Sequence, residues 1–254
     1  MYRKRMVIPV FGLVLLQYLS ACSGAGDTAP PSPAPLPTAS AEGLWTGTTD
    51  TNRTIAGLVL DNGVYWILYS VVGNPSTVAG LVQGDSSLQN GVLTSSNAKD
   101  FNFEAGEILD ATINGSHTTK QSLTGTLAYV VGRQSTSFTT AYDSAYDLIP
   151  DMNAIAGTYI GPVTTTEDVT VQVSSNGDIS GKSTTGCTFT GSFSPRTHGN
   201  VYDVTIAFGP QDACSNKSST VRGVGFYDAE AKRLTSAALN GTRTNGFIFI
   251  GTKP

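Results

Sequence analysis

From residue 43 to residue 254 the chain is a succession of short runs rich in Val, Ile, Thr, Tyr and Phe, broken about every ten residues by Gly, Asn, Asp or Pro. That punctuation predicts strands rather than helices and restricts the chain to an all-β architecture, either a barrel or a sandwich. Strands are expected near 44–48, 54–60, 64–71, 77–83, 91–95, 101–104, 108–115, 122–130 and 135–141. A second set is expected near 157–161, 168–173, 178–183, 187–194, 200–208, 219–227, 233–239 and 246–251. Each set supplies about eight strands in about 100 residues, which suits a small closed unit without exposed edges.

The two sets read as copies of one design. Gly43-Leu44-Trp45-Thr46-Gly47 returns as Gly157-Thr158-Tyr159-Ile160-Gly161, a glycine, aromatic, glycine pattern. At the same offset of 114, Ile55 matches Val169, Val59 matches Val173, and Asn62-Gly63 matches Asn176-Gly177, with no gap over those 21 positions. Asn and Gly accept the positive φ of tight hairpins, so both pairs are expected at turns. With the offset changed to 98, Leu123, Gly125 and Tyr129 match Val221, Gly223 and Tyr227. Between the sets, Pro150 with Met152 and Ile155 predicts one helical turn.

The N-terminus carries Arg3, Lys4 and Arg5, an apolar run from Val7 to Leu16, and then Leu19-Ser20-Ala21-Cys22. The apolar run is too short to span a bilayer and reads as a secretory signal. Leu19-Ser20-Ala21-Cys22 resembles the lipobox of bacterial lipoproteins, in which the cysteine is acylated and becomes the first mature residue. The resemblance implies cleavage after residue 21 and acyl chains of the palmitate kind on Cys22. Each buried methylene contributes about 0.8 kcal/mol, so several chains anchor durably where one would not. Ser23, in place of aspartate after the cysteine, implies the outer membrane by similarity to enterobacterial sorting. Residues 23–41 are small, polar and proline-rich and should form an extended spacer.

The expected organisation is a lipoprotein signal peptide over 1–21, lipidated Cys22 and a Pro/Ala/Ser-rich tether over 22–42, a first β unit over 43–147, a linker over 148–156 and a second β unit over 157–254. Removing residues 1–21 leaves 12 basic against 19 acidic residues, a net charge of −7. Such a chain has no basic stripe for phosphates, so nucleic acid is not an expected partner. Cys187 and Cys214 remain as an even pair in an oxidising compartment and are expected to form a disulfide.

Convergent chemistry is sparse. The two histidines, His117 and His198, fall in different halves, the first at an expected loop and the second in a turn, with no nucleophile elbow. Asn176–Ser183 has the look of a phosphate loop, but the position five before Gly181 is Asn176 rather than glycine, and the segment reads as turn and strand. Asp143 and Asp147 lack the ordered loop of a calcium site and read as a solvated strand end. Asp100, Glu104, Glu107 and Asp110 read as a solvated acidic loop or as a docking patch. No catalytic residue, metal site or cofactor is expected beyond the covalent lipid.

The most apolar strand, Val64 to Ser70, has two apolar faces, with Val64, Trp66 and Leu68 on one and Tyr65, Ile67 and Tyr69 on the other. One face should fill the first unit, and the other should pack on the second unit or meet a partner. Tyr65, Trp66 and Tyr69 are therefore the candidate interface or ligand-facing residues. Signal, spacer and tandem β units together are similar in plan to two-barrel bacterial surface lipoproteins of the transferrin-binding and complement-factor-binding kind. Gly43-Leu44-Trp45 also resembles the G-x-W opening of lipocalins and avidins.

The leading expectation is a non-enzymatic lipoprotein, anchored at the outer membrane and facing the surface or the periplasm, that recognises another protein. The alternative is a small-molecule or lipid binder using a barrel interior, and a third is a carboxylate hydrolase. Protease shaving of intact cells, with a lysed control, checks the first. Surface recognition expects loss of the protein while a periplasmic marker survives, and survival until lysis would sink it.

Overall fold

The computed structural model describes residues 40–162 and 167–254; the signal segment, Cys22 and most of the spacer lie outside the described residues. Two closed, eight-stranded antiparallel barrels follow one another. The first is built from β1 (Gly43–Thr49), β2 (Thr54–Val59), β3 (Val64–Val71), β4 (Asn74–Asp85), β6 (Val92–Asn102), β7 (Glu107–Thr118), β8 (Ser122–Tyr129) and β9 (Ser135–Asp143), while β5 (Ser87–Gln89) pairs only with the start of β6. Pairing of β4 with β6 closes the ring. A 3-10 turn at Ser144–Asp147 and a single helical turn, α1 (Met152–Ile155), lead to the second barrel. Asp151 caps α1 by accepting from the Asn153 N–H.

The second barrel runs through β10 (Gly157–Pro162), β11 (Asp168–Val173), β12 (Asp178–Ser183), β13 (Thr188–Pro195), β14 (Tyr202–Phe208), β15 (Thr220–Asp228), β16 (Arg233–Leu239) and β17 (Gly246–Thr252), each paired with the next, and β17 closes on β10. Closure pairs every strand on both sides, which removes the exposed edge that would otherwise template association.

The 114-residue repeat has a physical counterpart. Trp45 pairs with Gly57 and Tyr159 with Val171, positions that share the same offset. Each ring closes one end of its barrel and donates a hydrogen bond four residues back: Trp45 Nε1 to the Ala41 carbonyl at 2.9 Å, and Tyr159 Oη to the Ile155 carbonyl at 2.6 Å. A buried aromatic needs a partner for its polar tip, and the incoming chain supplies it in both copies. Gly63 and Gly177 sit at φ of 85° and 92° in matching hairpins. The 98-residue matches do not extend this equivalence, because β8 is the seventh strand around the first barrel and β15 the sixth around the second.

Two further expectations are corrected. The runs at 91–95 and 101–104 belong to one strand, β6, interrupted by a bulge: Ser95 pairs with Ile113 but Ala98 with Ala111, so β6 carries one extra residue. His117 lies within β7 rather than in a loop, with its ring edge-on to Trp45 at 5.4 Å. Asp143 and Asp147 do mark a strand end: Asp143 is the last residue of β9 and caps the 3-10 turn, and the exposed Asp147 ends that turn and pairs with Lys120 at 2.7 Å.

The barrels are joined by an apolar seam. Leu44, Leu58, Trp66, Leu81 and Phe101 from the first form one buried cluster with Val201, Val224, Ala237 and Leu239 from the second. Arg196 crosses from the second barrel to Asp61 at 2.6 Å and also holds Asp203. Arg243 donates to the carbonyls of Gln83 and Asn97.

Cys187 and Cys214 are bonded, tying the turn before β13 to the loop before β15 across 27 positions. Replacing both by serine is expected to lower stability by about 3.6 kcal/mol on chain-entropy grounds. Urea unfolding checks this, and an unchanged midpoint would show that the loop is held by other contacts.

Candidate functional site

Alternation along β3 sorts the three candidate residues. Trp66, with Val64 and Leu68, faces the seam and is buried against the second barrel. Tyr65 and Tyr69 point inward with Ile67. Tyr65 is buried at the closed end, its hydroxyl 2.8 Å from Ser95 Oγ, and burial pushes its pKa up to about 12. Tyr69 lies further along, towards the opposite end. None of the three is exposed, so the outward face of β3 serves the neighbouring barrel rather than an outside partner.

The interiors of the two barrels differ. In the second, Phe189, Phe193 and Phe249 meet Val171, Ile179, Val204, Ile206 and Leu234 and leave a void of only about 10 Å³. A Cβ at Gly181 would fall 2.1 Å from the Phe189 ring, so the glycine makes room for the filler. The first barrel is packed at its closed end by Trp45, edge-on to Tyr142 at 5.3 Å, but beyond these rings it holds a cavity of about 390 Å³. Ile55, Val59, Ile67, Val82, Ile113, Leu123, Leu127 and Phe138 make its walls, and Thr49, Thr51, Arg53, Val72 and Gln134 stand at its mouth. The mouth is the end formed by the β1–β2, β3–β4 and β8–β9 hairpins, where Val72 is 51% exposed.

One carboxylate is buried in this cavity. Asp100 is 1% exposed and accepts from Tyr69 Oη at 2.8 Å and from Tyr129 Oη at 2.7 Å, one on each carboxylate oxygen. The bulge in β6 places it there. Inward alternation through Leu93 and Ser95 would continue to Lys99 and Phe101, but the extra residue turns Ala98, Asp100 and Asn102 inward instead. Lys99 consequently points out and pairs with Asp110 at 2.6 Å, and Phe101 joins the seam. A Cβ at Gly80 would lie 2.1 Å from the Tyr69 hydroxyl oxygen, so Gly80 is what lets that ring lie over β4.

Arg53 stands at the mouth, its guanidinium carbon 5.4 Å from the Tyr69 ring centre. It donates to the Ser70 carbonyl at 2.8 Å and pairs with Glu104 at 2.7 Å. Burial raises the Asp100 pKa above the ordinary aspartate value, outweighing the two tyrosine hydrogen bonds and the more distant Arg53. Burial and the neighbouring carboxylate raise both the Tyr69 and Tyr129 hydroxyls. The acidic stretch is thus not uniformly solvated: Asp100 is interior, whereas Glu104 and Asp110 form surface pairs.

No protein-family model matches the chain, and no curated protein matches it. Among solved structures, a candidate outer membrane protein of Bacteroides fragilis is similar at 15% identity over 85% of this chain and 98% of that one, with a TM-score of 0.26, too distant to carry an inference.

A second and larger space, of about 530 Å³, runs from the groove between the barrels, lined by Leu81, Phe101, Phe103, Ile108 and Leu239, to the end of the second barrel's core, where Val169, Ser183, Phe189, Phe208 and Phe247 line it. Among the described residues no three His, Cys, Asp or Glu side chains cluster as metal ligands. His117 is part of the packing around Trp45, and burial lowers its pKa. His198 lies in the bend before β14, 3.5 Å from Glu42.

The raised Asp100 pKa has a definite sign. The folded protein holds this proton more tightly than the unfolded chain, so the contribution of Asp100 to stability is fully present below the ordinary value of 3.8 and is lost as pH rises through the interval up to the folded value. Asp61, Asp110, Asp147 and Glu167 are shifted the other way by partners that D100N leaves in place, so subtracting wild type from D100N isolates Asp100. The stability of D100N relative to wild type should rise with pH through that interval and then level off, as measured by urea unfolding across a pH series. A flat difference would refute the shift.

Proposed function

We propose that this is a lipid-anchored envelope protein whose first barrel binds a small, mainly apolar molecule, and that the second barrel is its structural support. The observation that carries this reading is a cavity of about 390 Å³ along the interior of the first barrel with a buried carboxylate in it, whereas the middle of its copy leaves a void of about 10 Å³ and the larger space of about 530 Å³ lies at that barrel's end and in the groove beside it. The middle of the same strand pattern can be filled with phenylalanine, and in the first barrel it is not. The volume lies within the range of about 300–1,000 Å³ usual for small-molecule sites, and the combination of apolar walls with a few convergent polar groups is the usual form of such sites.

Protein recognition has less support, because the apolar face of β3 that suggested it is covered by the second barrel. Hydrolysis by paired carboxylates lacks its second member, since Asp100 is the one buried carboxylate among the described residues. We therefore read the protein as a binder rather than an enzyme. The envelope location rests on the lipobox at Leu19–Cys22, which supplies the membrane contact; the ligand is the remaining partner.

A neutral naphthyl fluorophore, N-phenyl-1-naphthylamine, should bind saturably at one site per chain. T136W, which puts an indole on the cavity wall beside Leu127, should weaken that binding by about tenfold or more. Absence of saturable binding, or identical binding by the folded variant, would return protein recognition to first place.

A further inference from the structure

The cavity of the first barrel does more than exclude water. Asp100 is buried within it, yet no cation lies within ion-pair distance of its carboxylate: each Arg, Lys and His paired to an acid among the described residues is paired elsewhere. An uncompensated charge in an apolar interior is costly, and buried carboxylates ordinarily have a counter-ion or neutralise. Among the described residues, the hydrogen bonds to its carboxylate come from two tyrosine hydroxyls, at 2.8 and 2.7 Å.

The direction of those bonds matters. Tyr69 and Tyr129 both spend their single proton on Asp100, so towards the cavity each phenolic oxygen is left as an acceptor. The polar cluster inside the apolar walls therefore asks for hydrogen-bond donors. The nearby cation, Arg53, makes no hydrogen bond to this cluster: two of its five N–H donors go to the Ser70 carbonyl and to Glu104. Glu104 also offsets the charge of Arg53, which leaves Asp100 as the net charge of this side of the barrel.

Resting on the reading of the first barrel as a ligand cavity, we propose that its preferred ligand is an apolar amine, with the ammonium group donating to Asp100 between Tyr69 and Tyr129 and the hydrocarbon against Ile67, Val82, Leu123 and Leu127. The ammonium supplies both the missing positive charge and the missing donors, and charge-assisted hydrogen bonds are the strong ones in a low-dielectric site. The raised Asp100 pKa reflects the same deficit, and a cation bound beside the carboxylate would lower it.

Calorimetric titration of the intact protein at neutral pH with decylamine, decanol and decanoate, all below their aggregation limits, tests this. The three probes share one hydrocarbon chain and differ only in the head group. Decylamine should bind about tenfold or more tightly than decanoate, with decanol between them. In D100N, with folding verified by circular dichroism, the three affinities should draw together, mainly through loss of amine binding. The wild-type order alone decides the matter if D100N does not fold. Decanoate binding as well as or better than decylamine, or an unchanged order in folded D100N, would overturn the amine proposal while leaving the cavity reading in place. Failure of all three to bind would overturn both.

Discussion

Closing eight antiparallel strands into a ring satisfies the backbone but leaves an interior that side chains can only just fill. The size of the inward residues therefore decides whether such a barrel is solid or hollow. In the second barrel Phe189, Phe193 and Phe249 project across the axis over inward positions kept small, among them Gly181 and Ala238. In the first, the large rings of Trp45, Tyr65 and Tyr142 are gathered at one end. The walls beyond them are mainly Ile, Val, Leu and Thr, with Phe138, Tyr69 and Tyr129 among them, and together they leave a space of about 390 Å³.

The aromatic plug common to both barrels explains how one copy tolerates being hollow. Trp45 and Tyr159 each seal one end and tie the ring to the incoming chain at Ala41 and Ile155. With that end fixed and the β4–β6 pairing closing the ring, the other end of the first barrel can remain open without exposing a sheet edge. The seam around Trp66 and the Arg196 bridge to Asp61 hold the hollow barrel against the solid one. Packing the hollow member on a filled neighbour offsets the dispersion contacts that an unfilled interior lacks.

Asp100 is where local rules and global fold disagree. A strand with a continuous alternation would direct Lys99 and Phe101 inward; the single extra residue in β6 reverses this and buries a carboxylate instead. A buried, unpaired charge lowers stability, and such departures from an otherwise consistent design are characteristic of functional positions. The arrangement around it is specific: Gly80 clears space for Tyr69, and Tyr129 reaches in from the last inward position of β8.

Local sequence pattern is enough for the all-β class, nearly every strand from β1 to β4 and from β7 to β17, the matching aromatic and turn positions at an offset of 114, the helical turn after Pro150 and the Cys187–Cys214 pair. These follow from alternation, turn chemistry and cysteine count, which are local or countable properties. It also divided β3 correctly into two apolar faces, but could not say which face met the other barrel, because that depends on how the rings pack. Tertiary structure alone decided that β6 is one bulged strand, that Asp100 faces a cavity rather than solvent, and that one barrel is hollow. A one-residue bulge leaves little trace in composition yet inverts every side chain beyond it, and an empty volume belongs to the whole ring of strands rather than to any segment of the chain.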